Sequence, residues 1–253
     1  MRVSKRSGVQ SLWAAKAGPG ARPRRFYRDV TVEEAPGGFR VCLDGETIPT
    51  PLDAPLSVPT RRVADAIAAE WAGQGEYLDA ASLPLTRLAN TAIDRAAGNR
   101  RNDIVEEIIH FARFDLVCFR AGRPPGLVER QSVHWDPVLS WANTTFALDL
   151  TIARGDLAHR QDEACISRLS EVVMAMDEFS LAAMQTITTL TGSALLALQL
   201  AHGAIGGDAA WLAAHVDEDW QMEHWGADAE AAARRGIQRA EFDAAVLFLP
   251  QSV

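Results

Sequence analysis

Residues 26–48, FYRDVTVEEAPGGFRVCLDGETI, decide the fold class because they carry the clearest β-sheet signal in the chain. The apolar residues of the segment FRVCL alternate with Arg40 and Cys42, which is the two-residue period of a strand with one buried face. The pairs GG at 37–38 and DG at 44–45 tolerate the positive φ that tight hairpins need. The stretch therefore predicts strand, turn, strand, turn, strand.

Helical signals dominate the chain after residue 57. Thr60 is placed to cap a first helix, and residues 82–97 predict a second. Asp136-Pro137 predicts another helix start, because an acidic cap followed by proline suits the first turn. A further helix is expected over residues 208–224.

Strands followed by a run of helices predict an α+β fold with segregated parts. We expect a small N-terminal β-rich domain followed by a larger all-helical orthogonal bundle. The predicted parts are a basic disordered arm over 1–24, a β-containing domain over 25–80 and the bundle over 81–253.

Composition indicates an ordinary globular protein of one large or two average domains, with 253 residues, 48% of them apolar and 23% charged. The net charge of −8 is unevenly distributed, because residues 1–28 hold eight basic side chains and no acidic one. Residues 29–253 therefore carry −16. An acidic body argues against nucleic acid as a partner, since phosphate contacts need clustered Lys and Arg.

The basic arm permits two interpretations, an organelle transit peptide or a disordered tail. The abundance of Arg and Ala over Lys is typical of a GC-rich bacterial genome and favours the tail. A membrane-surface or scaffold role for the arm is a weaker hypothesis.

The longest apolar run, Thr191–Ile205, is too short to span a bilayer, which takes about 20 residues. Cys42, Cys118 and Cys165 form no CxxC pair, which suits a reducing compartment.

Enzyme signatures are missing from the sequence. It contains no Walker phosphate loop, GxGxxG, GxSxG or HExxH motif, and we expect no cofactor. His215 and His224 are nine positions apart, which places them about 180° apart on one helix, so they cannot share a metal ion. Asp115 lies among apolar residues and is either a catalytic acid of raised pKa or a partner of Arg113 or Arg120.

Residues 215–228, HVDEDWQMEHWGAD, combine carboxylates with tryptophans. On a continuous helix, Asp219 and Glu223 share a face with Leu212, Val216 and Trp220, whereas Glu218 lies between Trp211 and Trp225. Three interpretations remain open. The acids bind arginines of a packed bundle, or they form a docking surface, or Asp219 and Glu223, about 6 Å apart at Cβ, perform acid–base catalysis.

Five segments in order resemble one protein family. They are LPLTRLANTAID at 83–94, DIVEEIIHFARFDLVCFRA at 103–121, QSVHWDPVLSWA at 131–142, GSALLALQLAHG at 192–203 and DEDWQMEHWGAD at 217–228. Their order and spacing are similar to the assembly chaperones of the F-type ATP synthase catalytic sector that bind the α subunit. This family has mitochondrial and bacterial members. The resemblance covers roughly residues 25–250, nearly the whole chain.

The resemblance implies a chaperone with no enzymatic activity, which binds free α subunit and shields its β-facing surface until the α/β ring forms. The family's acidic motif falls on this stretch, and a functionally needed acid is carried over to Glu218 first. The remaining client-binding candidates are Asp219, Glu223, Asp217, Gln221, Trp225 and Trp211.

Expectations about partners and location accompany the resemblance. We expect a protein that is monomeric when free, binds no nucleic acid and does not insert stably into membranes. A bacterial cytoplasmic location is expected, with the mitochondrial matrix as the alternative if the arm is a transit peptide. The competing function is a hydrolase or lyase that uses paired carboxylates on helix 208–224.

Overall fold

The structure, a computed structural model, describes residues 5–14, 22–155, 160–226 and 228–250, without the side chains of residues 5–7, 11 and 14. The chain divides into two compact units between Arg100 and Arg101. The first unit contains a small antiparallel sheet, and the second is mostly helical. The predicted α+β fold is therefore confirmed.

The sheet is built around the predicted hairpins. Its strands are β1 (Val30–Ala35), β2 (Gly38–Leu43), β3 (Glu46–Thr47) and β4 (Ser57–Val58). Strand β2 pairs antiparallel with each of the other three. The turn between β1 and β2 requires glycine, because Gly37 and Gly38 have φ of +84° and +150°. A Cβ on Gly38 would also lie 2.2 Å from the Val58 carbonyl oxygen.

The described residues of the first unit also form the α-helices α1 (Lys5–Ala14), α2 (Arg61–Ala72) and α3 (Pro84–Thr91). A 3₁₀ turn (Ala80–Ser82) precedes α3 and a π-helical segment (Ala92–Ala96) follows it. As predicted, Thr60 caps α2 by accepting the Val63 N–H at 3.3 Å. Trp71 at the end of α2 is fully buried, and its indole N–H donates to the Thr86 hydroxyl at 3.1 Å.

Helix α3 belongs to the first unit, so the division lies twenty residues beyond the predicted boundary at 80. The physical reason is Glu70 on α2, whose carboxylate accepts the backbone N–H groups of Leu85 and Thr86 at 2.6 and 3.0 Å. These N–H groups lie in the first turn of α3, where they have no partner within the helix. The cap therefore ties α3 to α2.

Residues 5–14 form a helix, which differs from the disordered arm that we predicted for 1–24. Val9 and Leu12 are buried, and the Gln10 side-chain amide donates to the Thr50 carbonyl at 2.9 Å. Their three-residue spacing places both apolar side chains on one face, which composition alone did not reveal. The rest of the predicted arm, apart from residues 22–24, lies outside the described residues.

Eight helices form most of the second unit as far as its residues are described. They are α4 (Arg101–Arg113), α5 (Pro125–Phe146), α6 (Glu163–Met174), α7 (Glu178–Thr191), α8 (Ala194–Ala201), α9 (Gly207–Ala214), α10 (Val216–Trp225) and α11 (Ala229–Phe248). Helix α7 packs against α4, α8 and α11, and α8 is almost wholly buried. The unit is not purely helical, because β5 (Phe119–Arg120) and β6 (Ala153–Arg154) form a short parallel pair.

Helix α5 corrects the prediction of a helix start at Asp136-Pro137. It begins at Pro125 and passes through Pro137 without ending. An internal proline costs a helix about 3 kcal/mol, but burial of Trp135 and Val138 on either side of it offsets this cost. Asp136 does not act as a cap and pairs instead with Arg120 at 2.7 Å.

Of the two alternatives for Asp115, the raised pKa is found and the arginine partner is not. It is fully buried, and its carboxylate accepts the backbone N–H of Val117 at 3.2 Å and of Leu195 at 3.0 Å. The expected pairing with arginine is wrong, because Arg113 pairs with Glu163 and Arg120 with Asp136. Asp115 therefore caps the first turn of α8, and burial favours its neutral form over the charged one.

This buried cap predicts a pH-dependent stability. Burial raises the pKa of Asp115 from 3.8 to about 6, so its stabilising contribution is greatest below pH 3.8 and is lost as the pH rises through 6. Asp115→Asn cannot titrate. We expect the unfolding free energy of the wild type, relative to this variant, to fall by about 2–3 kcal/mol between pH 4 and 7. Urea unfolding at both pH values measures the difference, and a constant difference would contradict the assignment.

Candidate functional site

The acidic stretch folds as two helices and not as the single helix over 208–224 that we predicted. Helix α9 ends at Ala214 and α10 begins at Val216, with His215 at φ −111° and ψ 19° between them. His215 is buried, and its ring lies 3.9 Å from the Trp211 ring, centroid to centroid. Its Nδ1 atom lies 2.8 Å from the Trp211 carbonyl oxygen. These local contacts accompany the break between the two helices.

Helices α9 and α10 lie along α5 in the opposite direction. The Trp135 indole N–H donates to the Ala213 carbonyl at 2.7 Å. Four residues after Ala213, in the first turn of α10, Asp217 Oδ1 accepts a hydrogen bond from the Gln131 side-chain amide at 2.7 Å. Near the start of α5, the Trp220 ring covers Gly126 so closely that a Cβ there would lie 2.7 Å from it. The order of these contacts shows that the site is built on α5.

Three of the predicted acids bind side chains of neighbouring helices. Asp217 accepts from Gln131 on α5, Asp219 pairs with Arg235 on α11, and Glu223 pairs with Arg130 on α5 at 2.7 Å. The hydrogen bond from Arg130 lowers the pKa of Glu223, so this carboxylate is held ionised. These acids attach α10 to the bundle, and their contribution to client binding stays a prediction.

The outer face of α10 carries Glu218, Gln221 and Trp225. Their spacing of i, i+3 and i+7 places them on one stripe. The side chain of Glu218 is 65% exposed, and one of its carboxylate oxygens lies 4.0 Å from His215 Nε2. Trp225 is 78% exposed, which is unusual for a residue with so large an apolar surface. The outer stripe therefore combines a solvated carboxylate with an apolar anchor.

The other tryptophan among the candidates, Trp211, does not lie on this surface. It is buried against Phe242, with ring centroids 5.2 Å apart, and Arg239 lies over its ring. One unbroken helix would place Trp211 beside Glu218. The break at His215 changes the phase, and Leu212, expected in the apolar stripe, is 50% exposed.

The geometry gives no support to catalysis by Asp219 and Glu223. Each is paired with an arginine, and the pKa of Glu223 is lowered, whereas a general acid needs a raised pKa. Three cavities of the described chain, the largest of about 670 Å³ between α4 and α6, have neither carboxylate in their walls. Among the described residues, no group of His, Cys, Asp or Glu is arranged to hold a metal ion.

Sequence reasoning missed the partners that hold α10. Arg130 and Arg235 lie outside every motif of the sequence, and Gln131 begins one of the five family segments but has no expected role there. A Gln or Arg on a helix gives no signal of its own, because its partner is known only once the helices are packed. Within the described part of the chain, each helix is either too short or too polar to cross a membrane.

Comparison with known proteins identifies similar chains. The family described as ATP12 chaperone protein matches residues 24–143. The mitochondrial protein atp12 of Schizosaccharomyces pombe is 22% identical over 218 residues, which cover 80% of this chain and 74% of that protein.

Solved structures match more closely. The Atu1473 protein of Agrobacterium tumefaciens is 37% identical, with a TM-score of 0.84 and coverage of 96% of this chain and 94% of that one. Atp12 of Paracoccus denitrificans is 35% identical, with a TM-score of 0.80 and coverage of 89% and 96%. An aspartate-to-lysine mutant of the latter protein matches at 34% identity and the same TM-score.

Proposed function

The chain belongs to the ATP12 chaperone family, which serves the assembly of the F1 sector of ATP synthase, and from this premise we propose that it binds the free α subunit. In this proposal the chain shields the surface that α presents to β until the α/β ring forms. The observation that carries the proposal is the outer stripe of α10, where Glu218 and Trp225 are exposed together.

The chemistry of the stripe suits a client that must be held and later released. Glu218 and Trp225 are separated by seven residues, about 10 Å along the helix. An exposed tryptophan that fills a pocket of the partner can supply much of the affinity. A solvated carboxylate steers the encounter and selects a basic partner without making the complex permanent. The complementary surface is therefore a basic side chain beside an apolar pocket.

We propose that the chaperone does not use a chemical reaction of its own to release the client. The sequence has no phosphate loop, and the paired carboxylates of α10 are bound to arginines, so we propose no catalytic activity. Exchange of the chaperone for β at the same α surface is the simplest route. We further propose that the free protein is a monomer. The higher identity to Agrobacterium and Paracoccus chains than to the mitochondrial relative favours a bacterial cytoplasm.

Reversal of charge at Glu218 tests this proposal. Tagged wild type, Glu218→Lys and Glu171→Lys are expressed with the α subunit, and the bound subunit is identified after purification. Glu171 is a matched control, because it is an acid of the same unit with a 68% exposed side chain. We expect Glu218→Lys to retain about one tenth of the α retained by wild type or less, because the lysine repels a basic partner.

The control separates a local effect from a general one. We expect Glu171→Lys to retain α as the wild type does, with an unchanged melting temperature in all three proteins. Retention of α by Glu218→Lys at the wild-type level would remove Glu218 from the site. Failure of the wild type to retain α would contradict the proposal that the α subunit is the client.

A further inference from the structure

Helix α10 is attached to the bundle by the packing of Trp220 on Gly126 and by several polar contacts. All ten of its residues are described, and Val216 is the buried one among them. A single buried valine contributes about 1.5–3 kcal/mol, which is little for a helix of three turns. The flanking residues His215 and Gly226 both depart from helical geometry, so neither neighbouring helix continues into α10. The orientation of α10 must therefore depend on its side contacts.

Three side chains from two different helices provide those contacts. Besides the packing of Trp220 on Gly126, these contacts are polar. Arg235 on α11 binds Asp219 on one side of α10, and Gln131 on α5 binds Asp217 on the other. Arg130 on α5 binds Glu223 in the last turn. Together the three contacts hold α10 from both sides and near both ends, so its rotation about its own axis is restricted.

The three contacts differ in expected strength. Asp219 and Arg235 are 17% and 21% exposed, so removal of one leaves a partly buried charge without its partner. Gln131 is buried, and its carbonyl oxygen accepts the Ala121 N–H at 2.8 Å while its amide donates to Asp217. Both bonds orient the amide group. Glu223 and Arg130 are more exposed, at 54% and 31%, and pairs of this kind contribute little.

We propose that Arg235, Gln131 and Arg130 are positioning residues for client binding. They do not contact the client, and they set the rotation at which α10 presents Glu218 and Trp225. Rotation of α10 by one residue, about 100°, would turn the outer stripe toward α5 or α11. This inference rests on the proposed function and assigns to α5 and α11 a part in it. Arg235 is expected to matter most and Arg130 least.

Arg235→Met tests the strongest contact, because methionine keeps an apolar stem and removes the guanidinium group. Arg234→Met is the matched control, since Arg234 is the neighbouring residue of α11 and pairs with Glu230 on its own helix. We measure the affinity of the full-length proteins for purified α subunit and the amide hydrogen exchange of residues 216–225. We expect about tenfold weaker binding and faster exchange in α10 for Arg235→Met, and neither change for Arg234→Met.

A charge swap provides the second variant. Asp219→Arg combined with Arg235→Asp restores the pair with its partners exchanged, and we expect it to recover most of the affinity lost in Arg235→Met. Recovery of affinity together with slow exchange in α10 would show that the pair itself, and not either side chain alone, sets the orientation of α10. Unchanged affinity in Arg235→Met overturns the inference, as does weaker binding without faster exchange in α10, which would indicate direct contact with the client.

The same experiment distinguishes this inference from the proposed function. If the wild type does not bind α, the proposed function fails and the inference fails with it. If the wild type binds α and Arg235→Met binds equally well, only the positioning role is lost.

Discussion

Asp219→Lys is expected to lower the affinity for the α subunit by about 100-fold or more and to destabilise the second unit by about 2–4 kcal/mol. The substitution places a lysine against Arg235, which is only 21% exposed, so two cations face each other in a partly buried position. Helix α10 cannot keep both this contact and its present orientation. The loss of affinity then follows from the displacement of Glu218 and Trp225.

The comparison with Glu218→Lys makes this prediction specific. Both variants reverse one charge on adjacent residues of α10, but Glu218 is on the outer stripe and Asp219 is bound to α11. We expect weaker binding in both variants and a lower melting temperature in Asp219→Lys alone. Thermal unfolding and titration with purified α subunit measure the two effects. Equal stability of the two variants would show that the contact between Asp219 and Arg235 does not hold α10.

Trp135→Ala is expected to lower the free energy of unfolding of the second unit by about 3–5 kcal/mol. The indole is fully buried in α5, lies beneath the guanidinium of Arg120 at 5.1 Å and donates to the Ala213 carbonyl. Truncation leaves a cavity and also removes the hydrogen bond that holds α9 on α5 just before α10 begins.

Trp225→Ala is the natural control for this substitution. The same side chain is truncated on α10, but Trp225 is 78% exposed, so we expect a change of less than about 0.5 kcal/mol in stability. Urea unfolding of both variants measures the difference. A loss of stability in Trp225→Ala as large as that in Trp135→Ala would mean that Trp225 is packed and not available to a client.

Local patterns predicted those parts of the fold that depend on local residues. The glycines at 37–38 require a turn because of their positive φ, and Thr60 needs only the N–H of Val63 to cap α2. The hairpins and the first long helix were therefore predictable. Pro137 was misleading because the local rule assigns a proline to the start of a helix. The burial of Trp135 and Val138, which depends on the rest of the unit, keeps α5 continuous instead.

The candidate site was only partly predictable because its attachments are distant in sequence. The stretch at 215–228 shows that acids and tryptophans are close together, and Glu218 does lie exposed as the docking interpretation requires. The sequence does not show that His215 interrupts the helix or that Arg235 and Arg130 occupy two of the acids. The separation of α10 into a bound side and an exposed side follows only from packing.

The proposed binding and release of the α subunit is tested most directly by a titration of the purified chain with purified α subunit, followed by addition of β. We predict a one-to-one complex with α that is weakened in Glu218→Lys, and release of the chain when β binds α. Absence of a complex between the wild type and α would contradict the account, as would a stable complex that contains the chain, α and β together.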